Sequence, residues 1–243
     1  MSGMIIIVTG TISPGKNVGQ LTLRDSNERL KQYTTALLKT IEARPDADIV
    51  FCDNSGFGTD CFDDVLKYAN EKKMKLEVLS FAGDKEAVVA HGKGYGEGEI
   101  VKYVLENSKL AQGKQYMIKL TGRLVTDNIA DIVKHIKRKC IYFNIPNIHR
   151  RDIYDTRIYA MPINIYNDYF YDEYRKVNDN VGYFLEGVYT DVISNNKLHV
   201  NNFPRYPRIV GKSGSGGISY TYTEWKCKIR DFLSIFNIYG KVK

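Results

Sequence analysis

Short strand patterns separated by helical patterns constrain the fold of this chain more than any other feature. They lie at residues 4–8, 48–53, 75–81 and 115–120. The first is an unbroken apolar, β-branched run, which is typical of a strand buried on both faces of a parallel sheet. Asp25 and Glu28 have the spacing of a helix capping box and open a helical stripe between the first two strands. Alternating strands and helices predict an α/β fold with a mostly parallel, Rossmann-type sheet flanked by helices.

Composition limits the classes of partner and compartment. The chain has 243 residues and a formal net charge of +7, which favours an anionic partner. Its basic residues are spread out, apart from residues 134–139 and the C-terminal end, so we do not expect nucleic acid. No apolar run approaches the roughly 18 to 20 residues that cross a membrane. Residues 1–8 lead into a Thr-Gly loop like a first strand rather than a signal peptide, which predicts a cytoplasmic protein.

Cysteine and histidine spacing indicates neither a disulfide framework nor a zinc site. The four cysteines contain no C-x-x-C pair, and the four histidines show no H-E-x-x-H spacing. The 18 tyrosines either contact a polar ligand such as a sugar or simply pack within the protein.

The strand at residues 115–120 ends in Lys119-Leu-Thr121-Gly-Arg123. In α/β sheets, ligands bind beyond the carboxyl ends of strands where the topology switches. Two cations and a glycine turn at such an end suit a phosphate group. We interpret this sequence as the diphosphate corner of a sugar-nucleotide site.

Other strand ends add candidates. Thr9 and Gly10 follow the first strand, in a loop expected beside a nucleotide. Asp53 ends the second strand, where an acid either meets the base or ribose of a nucleotide or forms an Asx turn. Residues 92–98 hold four glycines and predict a turn that brings backbone close to a ligand at a helix N-terminus. The glycine-rich residues 211–217 predict either a loop that closes over a phosphorylated ligand or a flexible linker.

Residues 10–16 raise a different possibility, because they match the P-loop pattern G-x-x-x-x-G-K. The next residue is Asn17, where a P-loop carries the Ser or Thr that binds magnesium. The ten residues that follow also lack the helical pattern into which a P-loop opens. A P-loop kinase or NTPase is therefore an alternative, but not the favoured one.

Four motifs together resemble bacterial capsule and lipopolysaccharide glycosyltransferases with a GT-A fold. They are residues 92–99, residues 119–123, Asp155-Thr156-Arg157 and Leu185-Glu186. The resemblance implies a single domain over residues 1–243, in which residues 1–125 bind a nucleotide sugar and residues 126–243 form an irregular α+β acceptor half. It implies transfer of a sugar from a nucleotide-diphosphate donor to a glycan or lipid-linked glycan.

The resemblance also implies roles for individual residues. Glu186, between Leu185 and Val188, is either a helix-surface residue or a pocket acid with a raised pKa. The resemblance makes it the expected general base for an inverting displacement. The donor nucleotide and its diphosphate are expected to contact Thr9, Gly10, Asp53, Lys119, Thr121, Arg123, Asp155, Arg157, Lys212 and Ser213.

One departure from the family pattern concerns the metal. GT-A enzymes usually carry Asp-x-Asp where this chain has Thr121-Gly-Arg123. The sequence therefore favours an enzyme that requires no metal cofactor, with Lys119 and Arg123 stabilising the diphosphate directly. The alternative is Mn²⁺ or Mg²⁺ held through Asp155, which a nearby arginine would oppose electrostatically.

Two further interpretations stay open. The basic, tyrosine-rich second half could belong to a non-enzymatic module that binds a polyanion, with steeply salt-dependent affinity. Residues 222–236 predict an amphipathic basic helix, which either packs in the core or lies on an acidic membrane surface. The second choice would put the protein at the inner face of the cell membrane.

Overall fold

The computed structural model of the protein describes residues 3–15, 19, 21–145, 153–212, 217 and 219–236. The first half contains β1 (Met4–Gly10), α1 (Ser26–Glu42), β2 (Asp48–Asp53), α2 (Asp63–Glu71), β3 (Leu76–Ser80), α3 (Lys85–His91), α4 (Lys93–Asn107), β4 (Tyr116–Thr121) and β5 (Val125–Thr126). The second half contains α5 (Ile129–His135), β6 (Ile141–Asn144), β7 (Asp155–Pro162), α6 (Ile163–Tyr169), α7 (Leu185–Asn195), β8 (Val200–Asn201), β9 (Ile209–Lys212), β10 (Ser219–Tyr220) and α8 (Glu224–Ser234).

A seven-stranded sheet with the order β3-β2-β1-β4-β7-β6-β8 forms the centre of the molecule. Strand β7 runs antiparallel to both of its neighbours, and the other neighbouring pairs are parallel. Strands β10, β9 and β5 form a small separate sheet. The predicted α/β fold with a mostly parallel sheet is confirmed.

Helices cover both faces of the large sheet. Ile6 and Val8 of β1 point to the face on which α1, α2 and α5 pack, and Ile5 and Ile7 point to the face covered by α4 and α7. All seven residues of β1 are buried, as the unbroken apolar run predicts. The predicted helix start at Asp25 is also present, since its carboxylate accepts a hydrogen bond from the Glu28 backbone N–H at 2.7 Å. No described helix is both long enough and apolar enough to cross a bilayer.

The direction of β7 brings the second half of the chain to the ligand edge of the sheet. Because β7 is antiparallel to β4, its first residues lie beside the carboxyl end of β4, with Ile158 opposite Leu120. Between two consecutive residues of β6, Phe143 and Asn144, the partner in β7 changes from Tyr159 to Asp155. Such an irregularity lets a strand redirect side chains near a site. Here it places Asp155, Thr156 and Arg157 at the same edge of the sheet as the ends of β1 and β4.

The glycines at residues 92–98 do not form the predicted turn. Gly94, Gly96 and Gly98 are buried inside α4, and only Gly92, at its start, has a positive φ of +104°. The reason is packing, because a Cβ on Gly98 would lie 2.6 Å from Cγ of Tyr174 and closer still to its Cβ. Close approach of neighbouring segments outweighs the low helix propensity of glycine. Gly94 and Gly98 fit the helix against protein, and Gly96, which packs against Asn54 and Val88, also lines a pocket.

We expect the substitution Gly98→Ala to lower the free energy of unfolding by about 1–3 kcal/mol, because the added methyl group overpacks α4 against Tyr174. Urea denaturation of the two proteins measures the difference. Gly58→Ala is the matched control, since nothing lies within 4 Å of a Cβ at that position. Equal stability of Gly98→Ala and wild type would contradict the close packing.

Candidate functional site

A cleft of about 1020 Å³ opens at the edge where β1 and β4 end and β7 begins. It is the place that strand-end topology predicts for a ligand of an α/β sheet. Seven of the predicted site residues line it, namely Thr9, Gly10, Thr121, Arg123, Arg157, Glu186 and Lys212. Asp53, Lys119 and Asp155 lie behind the lining, and Ser213 falls outside the described residues.

Asp53 holds loops together and does not face the cleft. Its side chain is buried, and its carboxylate accepts hydrogen bonds from the backbone N–H groups of Ile12 (2.6 Å), Ser55 (2.9 Å) and Phe57 (3.1 Å). The Ser55 hydroxyl also donates to it. The predicted contact with a nucleoside is wrong, because these bonds use the carboxylate to close the loops after β1 and β2. Of the two interpretations of Asp53, the turn-forming one applies.

Lys119 is fully buried beneath the cleft floor. Its ammonium group forms an ion pair with Glu97 and donates hydrogen bonds to Thr121 Oγ1 (3.0 Å) and the Thr156 carbonyl oxygen (2.9 Å). The three protons of the ammonium group therefore have protein partners. The predicted direct contact of Lys119 with a diphosphate is wrong, and the lysine instead supports residues that line the cleft.

Asp155 is committed to Arg157. The guanidinium group of Arg157 donates from Nε and Nη2 to the Asp155 carboxylate at 2.7–3.1 Å. The Asn144 side-chain amide donates to the same carboxylate at 3.1 Å. Asp155 is thus buried and positions an arginine rather than facing a ligand. In the part of the chain that the structure describes, no three His, Cys, Asp or Glu side chains are grouped to hold a metal ion.

One side of the cleft is formed by Arg29, Arg123 and Arg157, which we call the arginine wall. Arg29 is held by hydrogen bonds from its guanidinium group to the carbonyl oxygens of Thr11 (2.6 Å) and Leu23 (3.1 Å). Burial, together with the charge of Arg29, lowers the pKa of Arg123, although arginine stays charged at neutral pH. Guanidinium groups anchored in this way offer a preorganised surface for an anion.

The opposite side carries Glu97 and Glu186, which we call the carboxylate wall. Glu186 accepts a hydrogen bond from the Thr156 hydroxyl at 2.8 Å. Burial raises the pKa of Glu186 above its ordinary value, and the negative charge of Glu97 raises it further. A carboxylate in this environment is a stronger base than one on the surface.

Arg29 and Arg123 lie toward one face of the large sheet and Glu97 and Glu186 toward the other, while Arg157 belongs to strand β7 itself. Arg29 belongs to α1, and Arg123 donates to Gln32 of the same helix at 3.3 Å. Glu97 and Glu186 belong to α4 and α7, which pack on the other face. A ligand lying across the sheet edge would therefore meet arginines at one end and, at the other, the two carboxylates together with Lys93 of α4.

A second pocket of about 820 Å³ adjoins the cleft and shares Thr11, Leu21, Arg29 and Lys93 with it. Its other lining residues include Asn54, Ser55, Gly83, Val88 and Val89. The Thr11 hydroxyl donates to Asn54 Oδ1 at 2.6 Å, which ties the loop after β1 to the end of β2. The combined space extends from the arginine wall along the ends of these two strands.

Sequence reasoning missed Arg29, Glu97 and Tyr220. Arg29 follows Glu28 in the predicted first helical turn, so its position on the helix gave a usable signal. Glu97 was missed because the glycine-rich residues around it were interpreted as a turn, whereas they belong to α4. Tyr220 lies in a two-residue strand, and its ring stacks under the Arg157 guanidinium at 4.5 Å, a contact that depends on the tertiary fold.

Comparison with known proteins adds a likeness of fold. No protein-family model and no curated protein sequence matches the chain. A solved structure from Desulfovibrio desulfuricans G20, provisionally described as a nucleotide-diphospho-sugar transferase, superposes with a TM-score of 0.51 and 11% identity, over 83% of this chain and 80% of that chain. A nucleoside-diphosphate-sugar pyrophosphorylase from Vibrio cholerae RC9 gives 0.46 and 13%, over 82% and 91%. The first of these shares the α/β fold with the present chain.

Proposed function

We propose that this protein transfers a sugar from a nucleoside-diphosphate donor to a hydroxyl group of a glycan or lipid-linked glycan, in the synthesis of a surface polysaccharide. The observation that carries the proposal is a single cleft with anchored arginines on one side and a base of raised pKa on the other. A fold shared with a protein described as a nucleotide-diphospho-sugar transferase supports it.

In the proposed complex, the donor diphosphate lies on the arginine wall. Arg123 and Arg157 each present N–H donors to the cleft, and planar guanidinium groups suit phosphate oxygens. Lys212 and Lys93 line the same space and add positive charge. Fixed cations stabilise the negative charge that develops on the leaving diphosphate as the anomeric C–O bond breaks.

The adjoining pocket is the proposed place for the nucleoside. It continues from Arg29 toward Asn54 and Val88, so it supplies both a side-chain amide and an apolar surface beside the diphosphate position. In this proposal, the pocket contacts the base and ribose, which the sequence analysis had expected Asp53 to do. Thr9 and Gly10, at the end of β1, lie between the two parts.

Glu186 is the proposed general base. It removes the proton from the acceptor hydroxyl while that oxygen attacks the anomeric carbon from the side opposite the diphosphate, which inverts the configuration. The Thr156 hydroxyl orients the carboxylate through its 2.8 Å hydrogen bond. The new glycosidic C–O bond forms as the bond to the diphosphate breaks, and the nucleoside diphosphate leaves.

We further propose that the arginine wall replaces a divalent metal. Asp155, the candidate ligand for Mn²⁺ or Mg²⁺, does not fit that role, because Arg157 binds its carboxylate through two nitrogens. A metal ion there would have to displace a buried, charge-assisted pair.

Two other functions fit the site less well. A P-loop requires a helix that starts at the phosphate-binding loop. Lys16 and Asn17 fall outside the described residues, but residues 21–25 are not helical and α1 starts only at Ser26. A polyanion-binding module needs no buried base, whereas Glu186 has one carboxylate oxygen fixed by Thr156 inside a cleft. Both observations favour sugar transfer.

The donor site can be tested by thermal unfolding with nucleoside-diphosphate sugars and free nucleoside diphosphates. A ligand that binds only the native state raises the melting temperature. At a ligand concentration one hundred times Kd, it increases the free energy of unfolding by about 2.7 kcal/mol. We expect one nucleotide set to stabilise the wild type equally in EDTA and in Mn²⁺. The variant Arg123→Ala should lose most of this stabilisation, because it lacks a guanidinium group of the arginine wall.

Arg175→Ala is the matched control, because Arg175 is exposed and pairs with Asp172 on another surface. It should respond to the ligand as wild type does. Stabilisation that requires Mn²⁺ would contradict the replacement of the metal but keep the donor class. Two outcomes would overturn sugar transfer. In one, only ATP with Mg²⁺ raises the melting temperature. In the other, none of the nucleotides raises it.

A further inference from the structure

The outer face of α8 carries large apolar side chains. Trp225, Ile229, Phe232 and Phe236, which we call the α8 stripe, recur at the spacing of one helix face and are 49–63% exposed. Ile235 beside them is 72% exposed. Five of the nine exposed large hydrophobic side chains of the described residues thus lie within this one segment. Of the two interpretations of this helix, core packing is wrong for the stripe.

The opposite face of α8 is polar and fixed to the body of the protein. Arg208 bridges Glu224 (2.9 Å) and Asp231 (3.0 Å), and the Tyr206 backbone N–H donates to Asp231 at 2.5 Å. The guanidinium of Arg230 lies 4.3 Å from the centre of the Tyr206 ring. The inward side of α8 thus holds the buried Cys227 and the largely buried pair of Asp231 with Arg208, whereas its aromatic rings lie outside.

Two lysines border the α8 stripe. With 3.6 residues per turn, Lys226 falls on one side of the stripe and Lys228 on the other, and both are exposed. The acidic residues of the helix, Glu224 and Asp231, are the ones paired with Arg208. The outward half of α8 is thus apolar along its middle and positive along both edges.

We propose that α8 is an interfacial helix that binds the surface of an anionic lipid bilayer. The α8 stripe would enter the boundary between headgroups and acyl chains, and Lys226 and Lys228 would meet the lipid phosphates. Charge favours this occupant over a second copy of the chain, because two stripes packed together would bring lysine edges against lysine edges. Since α8 follows Tyr220 of the cleft by only a few residues, binding also fixes the cleft close to the bilayer.

Flotation of the full-length protein with lipid vesicles tests this surface. We expect binding to vesicles of phosphatidylcholine mixed with phosphatidylglycerol, and weaker binding to phosphatidylcholine alone. The double variant Trp225→Ser/Phe232→Ser should lower the affinity at least about tenfold, because two aromatic side chains no longer enter the lipid. The double variant Lys226→Gln/Lys228→Gln should lower it roughly tenfold on anionic vesicles and leave binding to neutral vesicles unchanged.

Val181→Ser is the control, because Val181 is 75% exposed but lies away from α8, and it should bind vesicles as wild type does. All the substituted side chains are exposed, so the melting temperatures should agree, and this is measured alongside. Equal binding of the Trp225→Ser/Phe232→Ser variant and wild type would overturn the proposal. So would a wild-type dimer in solution that this variant converts to a monomer, since the stripe would then cover a second copy. Because the readout is binding to vesicles, the result does not depend on whether the protein transfers sugars.

Discussion

Replacing Glu186 by glutamine should lower kcat by about 10²- to 10⁴-fold, the usual contribution of a general base. The amide keeps the size of the side chain and can still accept the hydrogen bond from Thr156. It cannot take the proton of the acceptor hydroxyl. Donor binding, measured as the thermal stabilisation by the nucleotide sugar, should stay close to that of wild type, because the arginine wall is untouched.

The pH dependence of turnover gives an independent test of the same residue. The active form of Glu186 is ionised, and burial together with Glu97 raises its pKa above the ordinary value. Activity should therefore fall on the acid side at a higher pH than for an exposed glutamate. The variant Glu97→Gln removes one negative neighbour and leaves the buried Lys119 unpaired, so it should be less stable, and in the folded protein the acid limb should move to lower pH.

Glu71→Gln serves as the control, since Glu71 is exposed at the end of α2, and its rate and pH profile should match those of wild type. Turnover of Glu186→Gln within a few fold of wild type would show that Glu186 is not the base.

Replacing Lys119 by methionine should lower the free energy of unfolding by about 3 kcal/mol. Removing one partner of a buried ion pair costs about 3–5 kcal/mol, because the other charge is left without compensation. The lower end applies here, since Lys119 is fully buried but the Glu97 side chain is 24% exposed and can regain some water. Thr121 Oγ1 and the Thr156 carbonyl oxygen also lose a donor. Urea denaturation measures the loss.

Lys39→Met is the matched control, because the ion pair of Lys39 with Glu42 is exposed and worth about 0–1 kcal/mol. Adding Glu97→Leu to Lys119→Met should recover part of the lost stability, since the uncompensated carboxylate disappears. A loss below about 1 kcal/mol for Lys119→Met would mean that the pair contributes little to folding.

The sheet could be predicted from the sequence because its evidence is local. The unbroken apolar run of β1 and the Asp25 cap of α1 each describe a few neighbouring residues, and both occur in the structure. The position of the cleft followed from general topology, as the ends of strands carry ligands in α/β sheets. Arg123 was found in this way, whereas Arg157 and Glu186 came from the resemblance of their motifs to a known family, and all three line one cleft.

The sequence does not show which charged side chains are paired with other groups of the protein and which are left to bind a ligand. Lys119 and Asp53 carry charges at strand ends, as Arg123 does, but they are enclosed by partners far away in the chain. Asp155 is paired with Arg157, two residues further on, and the sequence does not show whether that arginine binds the carboxylate or a ligand. The glycines of α4 were misread for the same reason, since Tyr174 and Leu185, which require their small size, are distant in sequence. Partnership of this kind depends on the tertiary fold rather than on any local pattern.

The separation of the arginine wall from the carboxylate wall bears on how such a protein can diverge. In the proposed reaction, the arginines that meet the diphosphate lie on α1, the turn after β4 and β7, and the nucleoside pocket is lined by α3 and the start of α4, whereas the general base lies on α7. A layer of buried strands lies between α1 and α7, so a substitution on one of these helices is on the far side of the sheet from the other. Acceptor preference and donor class are thus separable traits. Under selection for a new acceptor, substitutions should therefore occur mainly on α7, and the enzyme should keep the same nucleotide.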